Sequence, residues 1–155
     1  MDEKVLRSAV SEGIRHIGIG IYSSGKVREY LMNKGFDRNI ASAAVQELVD
    51  RGYIDDMRAG RKVLNSRTGK KQESKRMLYQ RMIAAGVSSE SADIMLSECE
   101  DDNRTCIMLY DSLIPDRDSL KDDPSDIARA LIKKALSRGY SYEVASNCFD
   151  KWFDD

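Results

Sequence analysis

The sequence predicts an all-α protein built from three tandem three-helix repeats, about nine helices in all. Three observations support this fold class. Proline occurs only twice in 155 residues, and apolar residues recur at the three- and four-residue spacing of buried helix faces. A glycine stop also returns at Gly35, Gly86 and Gly139, 51 and 53 residues apart. This period is typical of a repeat built from one supersecondary unit.

The first repeat contains two short helices that each end at a glycine. Ser23 or Ser24 can cap the first of them, and Gly35 takes the left-handed position after its end. Asp37 caps the next helix, which Gly52 ends in the same way. The helix between Asp37 and Gly52 carries one apolar stripe, which we expect to be buried: Ile40, Ala41, Ala44, Val45 and Leu48.

The other two repeats follow the same punctuation. Leu78 and Met82 precede Gly86, and Leu131 and Ala135 precede Gly139, at the offsets of Val27 and Leu31 before Gly35. Each repeat needs a third helix to close its core, for which the candidates are 5–17, 56–64 and 103–113. The predicted domain boundaries are 1–56, 57–100, which includes a basic connection, and 101–155.

Aspartate doublets stand between the repeats. Asp55–Asp56 and Asp101–Asp102 are interpreted as caps of the helices that follow them, where a carboxylate opposes the positive end of the helix dipole. Asp123 with Pro124 forms a further strong helix start. A metal site or a general acid at these aspartates is disfavoured.

Charge is distributed unevenly although the formal net charge is −1. Residues 58–81 carry nine Lys/Arg against one glutamate, and residues 90–126 carry twelve Asp/Glu against three Lys/Arg. The basic segment could contact an acidic partner such as nucleic acid. Alternatively, the two segments are solvated helix faces that neutralise each other.

Several classes of protein are disfavoured by composition. Cys99, Cys106 and Cys148 are odd in number and lack C-x-x-C spacing, so we expect small buried side chains rather than disulfides or a zinc site. The N-terminus shows no signal region, and the longest apolar run, 17–22, is too short to cross a bilayer. We therefore expect a cytoplasmic protein with no membrane contact.

A longer motif carries a resemblance to a known family. It combines a K-G-F turn, a helix that ends in L-x-x-x-G-Y and an aliphatic-Asp-Asp-x-Arg run. The positions are Ser24, Leu31, Lys34, Gly35, Phe36, Leu48, Gly52, Tyr53, Ile54, Asp55, Asp56 and Arg58. This pattern resembles the RecX family of bacterial recombination regulators, most strongly in the first repeat and least in the second.

The resemblance implies a protein without catalytic chemistry of its own. We also expect a monomer with neither cofactor nor metal. RecX-like proteins bind the RecA recombinase, lie in the groove of its nucleoprotein filament and in most cases restrain it. An elongated or crescent-shaped stack of repeats would suit that position. From charge alone, we expect the recombinase filament, or the single- or double-stranded DNA within it, to contact Arg58, Arg61, Lys62, Lys70, Lys71, Lys75 and Arg76.

The chain departs from the family pattern directly after the motif. Ala59 and Gly60 stand where the family usually has an aromatic residue and alanine. We expect a smaller core contact there and a helix weakened by about 1 kcal/mol at the glycine.

Three other functions remain to be weighed. A helix-turn-helix DNA-binding regulator would have similar short helices and a basic surface, although the near-neutral total charge speaks against it. A generic helical protein-interaction module is a second alternative. An enzyme is disfavoured because His16 is the only histidine and no nucleophile or acid stands at a meaningful spacing from it.

Overall fold

A computed structural model describes residues 1–116, 118 and 123–154. Within this part the chain forms nine α-helices and no strand, which confirms the all-α prediction. Residues 117, 119–122 and 155, some of them in the acidic segment, lie outside the described residues. The helices are α1 (Glu3–Ile17), α2 (Ser24–Asn33), α3 (Arg38–Asp50), α4 (Asp56–Asn65), α5 (Lys75–Ala84), α6 (Ser89–Glu98), α7 (Asp102–Leu113), α8 (Pro124–Ser137) and α9 (Tyr142–Asp154), with a 3₁₀ turn at Gly69–Lys71.

The chain divides into two compact units. Unit one comprises Met1–Val63 and Arg81–Met95, and unit two comprises Leu64–Gln80 and Leu96–Asp155. The chain passes from one unit to the other at three points, which lie inside α4, α5 and α6. Each of these helices therefore contributes residues to both units. The predicted third helices are present as α1, α4 and α7, with starts and ends within two residues of those expected.

The core of unit one lies between α1, α2 and α3. The predicted stripe of α3 is buried along its whole length, and Leu48 is completely inaccessible. Asp37 caps α3 by accepting a hydrogen bond from the Ile40 N–H at 2.8 Å. The remaining fully or nearly buried apolar residues of this cluster are Ala9, Val10, Ile17, Val27, Leu31 and Ile54.

The core of unit two lies between α7, α8 and α9. Its aromatic side chains are buried with their polar atoms bonded, as is usual for tyrosine and tryptophan in a core. The Tyr110 hydroxyl donates to the Ala145 carbonyl at 2.9 Å, and Trp152 Nε1 donates to Asp111 Oδ1 at 2.8 Å. Trp152 is only 1% exposed, so it belongs to the interior of the third repeat as predicted.

The structure gives Gly60 a different role from the one expected. A Cβ atom added there would overlap the Met95 side chain and would also approach Met82 Sδ to 3.4 Å. Gly60 is buried, so the missing side chain leaves room that the Met95 methyl group occupies. We expected a smaller core contact at Gly60. The Met95 side chain fills the space instead, as flexible methionines do at irregular gaps in a core.

Candidate interaction surfaces and repeat joints

Three of the predicted partner-binding cations belong to α4 in unit one. Arg58, Arg61 and Lys62 are all exposed. Their three- and four-residue spacing places them on one side of the helix. The start of this helix is capped by Asp55, whose Oδ1 accepts from the Arg58 N–H at 3.1 Å. The local sequence therefore presents three positive side chains together on the surface of unit one.

The other four cations belong to unit two. Lys70 and Lys71 form the 3₁₀ turn, which packs on α7, and Lys75 and Arg76 begin α5. Lys75 is half-buried and the other three are exposed. Arg138 Nη2 donates to the Lys70 carbonyl at 3.1 Å, which adds a fifth cation beside this turn and ties it to the end of α8.

Among the described residues, no ion pair joins these cations to the acidic segment. In the described part of the chain, none of the seven predicted side chains forms an ion pair with a carboxylate. The nearby acid of the basic segment, Glu73, is 2% exposed and lies 4.0 Å from the Nε of a different residue, Arg67.

A hydrogen-bonded joint in unit one links the start of α2 to two later parts of the chain. Asp56 accepts from the Ser24 N–H at 2.8 Å and from the Ser24 hydroxyl at 2.6 Å. The Ser23 hydroxyl donates to the Ala85 carbonyl at 2.7 Å, and the Gly25 N–H donates to the Gly86 carbonyl at 2.8 Å. The first turn of α2 thus satisfies its N–H groups with the acid and the glycine turn of the following repeat.

Unit two contains a second joint of the same design. Asp102 accepts from the Lys75 N–H at 2.9 Å, as Asp56 accepts from Ser24. The Ser74 N–H donates to the Arg138 carbonyl at 3.0 Å. Arg76 Nη2 lies 3.4 Å from the Gly139 carbonyl. Ser74, like Ser23, stands twelve residues before the glycine of its repeat and is buried.

The expected role of the aspartate doublets is partly wrong. Asp55 and Asp101 cap the helices that follow them, α4 and α7. Asp56 and Asp102 instead bind the starts of α2 and α5, and Asp56 also accepts from the Ser88 N–H just before α6, at 3.2 Å. Sequence reasoning missed these bonds because the bonded residues are 32 and 27 positions apart, and caps are recognised in a sequence only by spacings of two or three residues. The serine that stands twelve residues before Gly35, and again twelve residues before Gly86, was the available signal.

Two residues of α1 and α2 form a polar contact on the surface of unit one. The Tyr30 hydroxyl donates to Glu12 Oε1 at 2.7 Å, and this hydrogen bond lowers the pKa of Glu12 and raises that of Tyr30. His16 stacks on the Tyr30 ring with 3.6 Å between the centroids. The only histidine is thus packed against an aromatic ring.

The three thiols differ in their surroundings. Cys106 and Cys148 are buried in unit two, whereas Cys99 is half-exposed, contrary to the expectation that all three are buried. Burial raises the pKa of the Cys106 thiol to about 12 and also raises that of Cys148. Cysteine reactivity follows the thiolate, so we expect the two buried thiols to react slowly at neutral pH.

Neither a metal cluster nor a membrane helix is found in the part of the chain that the structure describes. No group of three or more His, Cys, Asp or Glu there could hold a metal ion. None of the described helices is long and apolar enough to cross a bilayer.

Comparison with known proteins points to one family. No family model matches the chain. A curated protein, the regulatory protein RecX of Clostridium botulinum (strain Eklund 17B / Type B), is 26% identical over 133 residues, which cover 84% of this chain and 62% of that protein. The crystal structure of RecX from Lactobacillus salivarius matches 99% of this chain and 100% of that chain, with a TM-score of 0.73 and 13% identity.

The chain is thus similar in sequence to a RecX protein. The structural match shows the shared RecX helical fold. The chain spans about 62% of the length of the curated RecX protein that it matches. RecX is a regulatory protein family.

The RecX-like signature residues have mainly structural positions in this chain. Gly35 and Gly52 have φ values of 104° and 81°, which glycine adopts at little cost. Phe36 packs against the core of unit one, and its N–H donates to the Leu31 carbonyl at 3.2 Å. Tyr53 is 39% exposed, and the Arg51 guanidinium lies 5.4 Å from its ring centroid.

Proposed function

We propose that this protein binds the RecA nucleoprotein filament and restrains its growth, its ATP hydrolysis and its strand exchange. The observation that carries the proposal is the set of seven cations on α4, the 3₁₀ turn and α5, none of which pairs with a carboxylate of the described chain. The similarity in sequence and fold to RecX proteins supports the choice of RecA as the partner in this proposal. This role would place the protein in DNA repair and the SOS response, in the cytoplasm.

The physical basis is the attraction between exposed cations and phosphate or carboxylate groups. A lysine or arginine that has no partner within its own chain loses little on binding a phosphate, and the release of condensed counterions favours association. The side chains on α4 and those of unit two offer two positive groups. Contacts to DNA within the filament would make binding strongly dependent on salt, whereas contacts to carboxylates of the recombinase would give a weaker dependence.

The experiment compares two variants of equal charge. The test variant reverses Arg61, Lys62, Lys70 and Lys71 to glutamate. The control reverses four other exposed cations, Lys4, Arg7, Lys133 and Lys134, to glutamate. Fluorescence anisotropy measures binding to RecA-coated DNA, to bare single-stranded DNA and to bare duplex DNA at two salt concentrations. The RecA ATPase rate is followed in parallel.

We expect the test variant to lose filament binding and inhibition while the control retains both. Affinity for DNA falls as salt rises. For every phosphate that the variant no longer binds, the steepness of log affinity against log salt should decrease by about 1. Unchanged filament binding by the test variant would contradict the role of the basic residues. Equal binding of the wild type to any bare duplex would favour a helix-turn-helix DNA-binding regulator, and binding to neither DNA nor filament would leave a generic helical interaction module.

A further inference from the structure

Each repeat joint has two halves with complementary chemistry. The helix-start half is the buried serine with the two residues after it, Ser23–Gly25 in the first joint and Ser74–Arg76 in the second. It supplies N–H groups. The turn half is the acid at the first position of a later helix, Asp56 or Asp102, together with the glycine turn of the next repeat; these supply a carboxylate and carbonyl oxygens. A helix start without either partner would leave its N–H groups to water.

The first repeat carries a turn half that no described residue covers. Asp2 caps α1 by accepting from the Lys4 N–H at 2.9 Å, as Asp55 caps α4, so Glu3 is the first residue of its helix, as Asp56 and Asp102 are of theirs. Glu3 and Gly35 are exposed. A Cβ added to Gly35 would meet no described atom within 4 Å, whereas one added to Gly86 would overlap the Ser23 hydroxyl. This turn half is therefore open.

The third repeat lacks the matching helix-start half. Helices α2 and α5 have 10 residues each and α8 has 14, so α8 carries one added turn at its start. Twelve residues before Gly139, the place of Ser23 and Ser74 is taken by Ile127. The Ile127 N–H donates to the Asp123 carbonyl at 3.1 Å, and the side chain is buried against the core of unit two.

The N–H groups of the added turn are also bonded locally or missing. Asp123 accepts from the Ser125 N–H at 2.7 Å, and Pro124 has no N–H to offer. The exposed carboxylates of Asp123 and Asp126 would face the carboxylate of Glu3 if an open turn half approached. The start of α8 therefore offers no free N–H group to such a carboxylate, and its own carboxylates would repel it. Both effects oppose a joint between the start of α8 and a second copy.

We propose that the added turn of α8, residues 123–127, is a stop that prevents the open turn half of a second copy from joining the third repeat. The two halves belong to different repeats of one chain, so such a joint between copies would be head to tail. Head-to-tail contacts continue into filaments unless the rotation closes a ring. The stop keeps a protein with repeating joints from polymerising, which is the role of capping repeats in other repeat proteins.

The main experiment restores the missing half. Residues 71–77, KQESKRM, replace residues 124–130, PSDIARA, at equal length and in register with the glycine. Sedimentation velocity should show association that grows with concentration in this graft, at concentrations where the wild type sediments as a single small species. A graft that is folded by circular dichroism and still does not associate would overturn the proposal.

Two further variants show whether the association uses the proposed halves. Adding Glu3→Lys to the graft should return it to the small species, because the carboxylate of the open turn half is removed. A control graft that keeps isoleucine in place of the serine, KQEIKRM, should associate at least tenfold more weakly. If neither variant changes the association of the graft, another surface must be responsible. That result would refute the proposed role of residues 123–127.

A separate measurement tests the premise within the native chain, whether or not the graft folds. Proline is well accepted at the first position of a helix, so Lys75→Pro removes little besides the N–H that donates to Asp102. We expect a lower urea midpoint for Lys75→Pro than for Lys75→Ala. Equal midpoints would show that the N–H does not hold the joint together, and the proposal would fall with it.

Discussion

Asp56 holds Ser24 by two hydrogen bonds, one from its backbone N–H at 2.8 Å and one from its hydroxyl at 2.6 Å. The two residues are 32 positions apart. A third bond, from the Ser88 N–H at 3.2 Å, brings the start of α6 to the same carboxylate. One side chain at the start of α4 therefore serves two other helices of unit one.

Substitution of Asp56 should be more damaging than loss of an ordinary helix cap. We expect Asp56→Ala to lower the free energy of unfolding by about 2 to 3 kcal/mol, because it deprives two N–H groups and one hydroxyl of a charged acceptor. Asp55→Ala removes a single local cap and should cost about 1 kcal/mol. Urea unfolding of the two variants measures the difference, and equal decreases would contradict the proposed importance of the joint.

The two glycine turns at Gly35 and Gly86 offer a matched pair. Both have positive φ values, 104° and 87°, so alanine at either position should cost about 1 to 2 kcal/mol for the backbone conformation. Alanine at Gly86 would also overlap the Ser23 hydroxyl, which alanine at Gly35 does not. We expect the melting temperature to fall further for Gly86→Ala. A Cβ at Gly86 would also lie 2.8 Å from the Lys26 backbone nitrogen, so the same decrease in both variants would show that both Ser23 and the start of α2 move aside without cost.

Trp152 should dominate the stability of unit two. It is the only tryptophan and is 1% exposed, so Trp152→Ala should cost about 3 to 5 kcal/mol. Phe153→Ala, at a side chain that is 40% exposed, should cost less than about 1 kcal/mol. The native fluorescence maximum should lie at shorter wavelength than in the unfolded chain; a water-like maximum before unfolding would place Trp152 outside the core.

Thiol chemistry should separate Cys99 from the other two cysteines. Burial raises the pKa of Cys106 to about 12, so at neutral pH almost no thiolate is present there. Cys99 is half-exposed and should react first with Ellman's reagent. In Cys99→Ser the native protein should react at least tenfold more slowly than the wild type, while the unfolded variant titrates two thiols. Rapid reaction of native Cys99→Ser would contradict the burial of both remaining thiols.

The contact between Glu12 and Tyr30 should make a pH-dependent contribution to stability. The Tyr30 hydrogen bond lowers the pKa of Glu12 below its ordinary value of about 4.3. A carboxyl whose pKa is lowered by folding stabilises the protein above the unfolded value, and this contribution is lost as the pH falls through the folded value. Tyr30→Phe should therefore destabilise the protein at pH 7 by more than at pH 2.

The control for this experiment is Tyr22→Phe, since the Tyr22 ring also lies near His16 without donating to Glu12. Urea unfolding of both variants across the pH range measures the effect. A destabilisation by Tyr30→Phe that is the same at pH 2 as at pH 7 would assign the contribution to packing of the ring.

Much of the fold could be predicted from the sequence because it depends on local interactions. The burial of the α3 stripe and the caps at Asp37 and Asp123 follow from residues within one or two helical turns. The left-handed ends at Gly35, Gly86 and Gly139 follow from the freedom of glycine at positive φ. The number of helices among the described residues, nine, could also be predicted from the regular spacing of the glycines that end them.

Tertiary structure alone decided which distant groups satisfy one another. The sequence places an aspartate at 56 and at 102, but only packing brings their carboxylates to helix starts 32 and 27 residues away. The same holds for Gly60, whose empty space is filled by Met95 from another helix. A local pattern determines which backbone groups need partners, whereas the partner is chosen by whichever helix the hydrophobic core brings within hydrogen-bond distance.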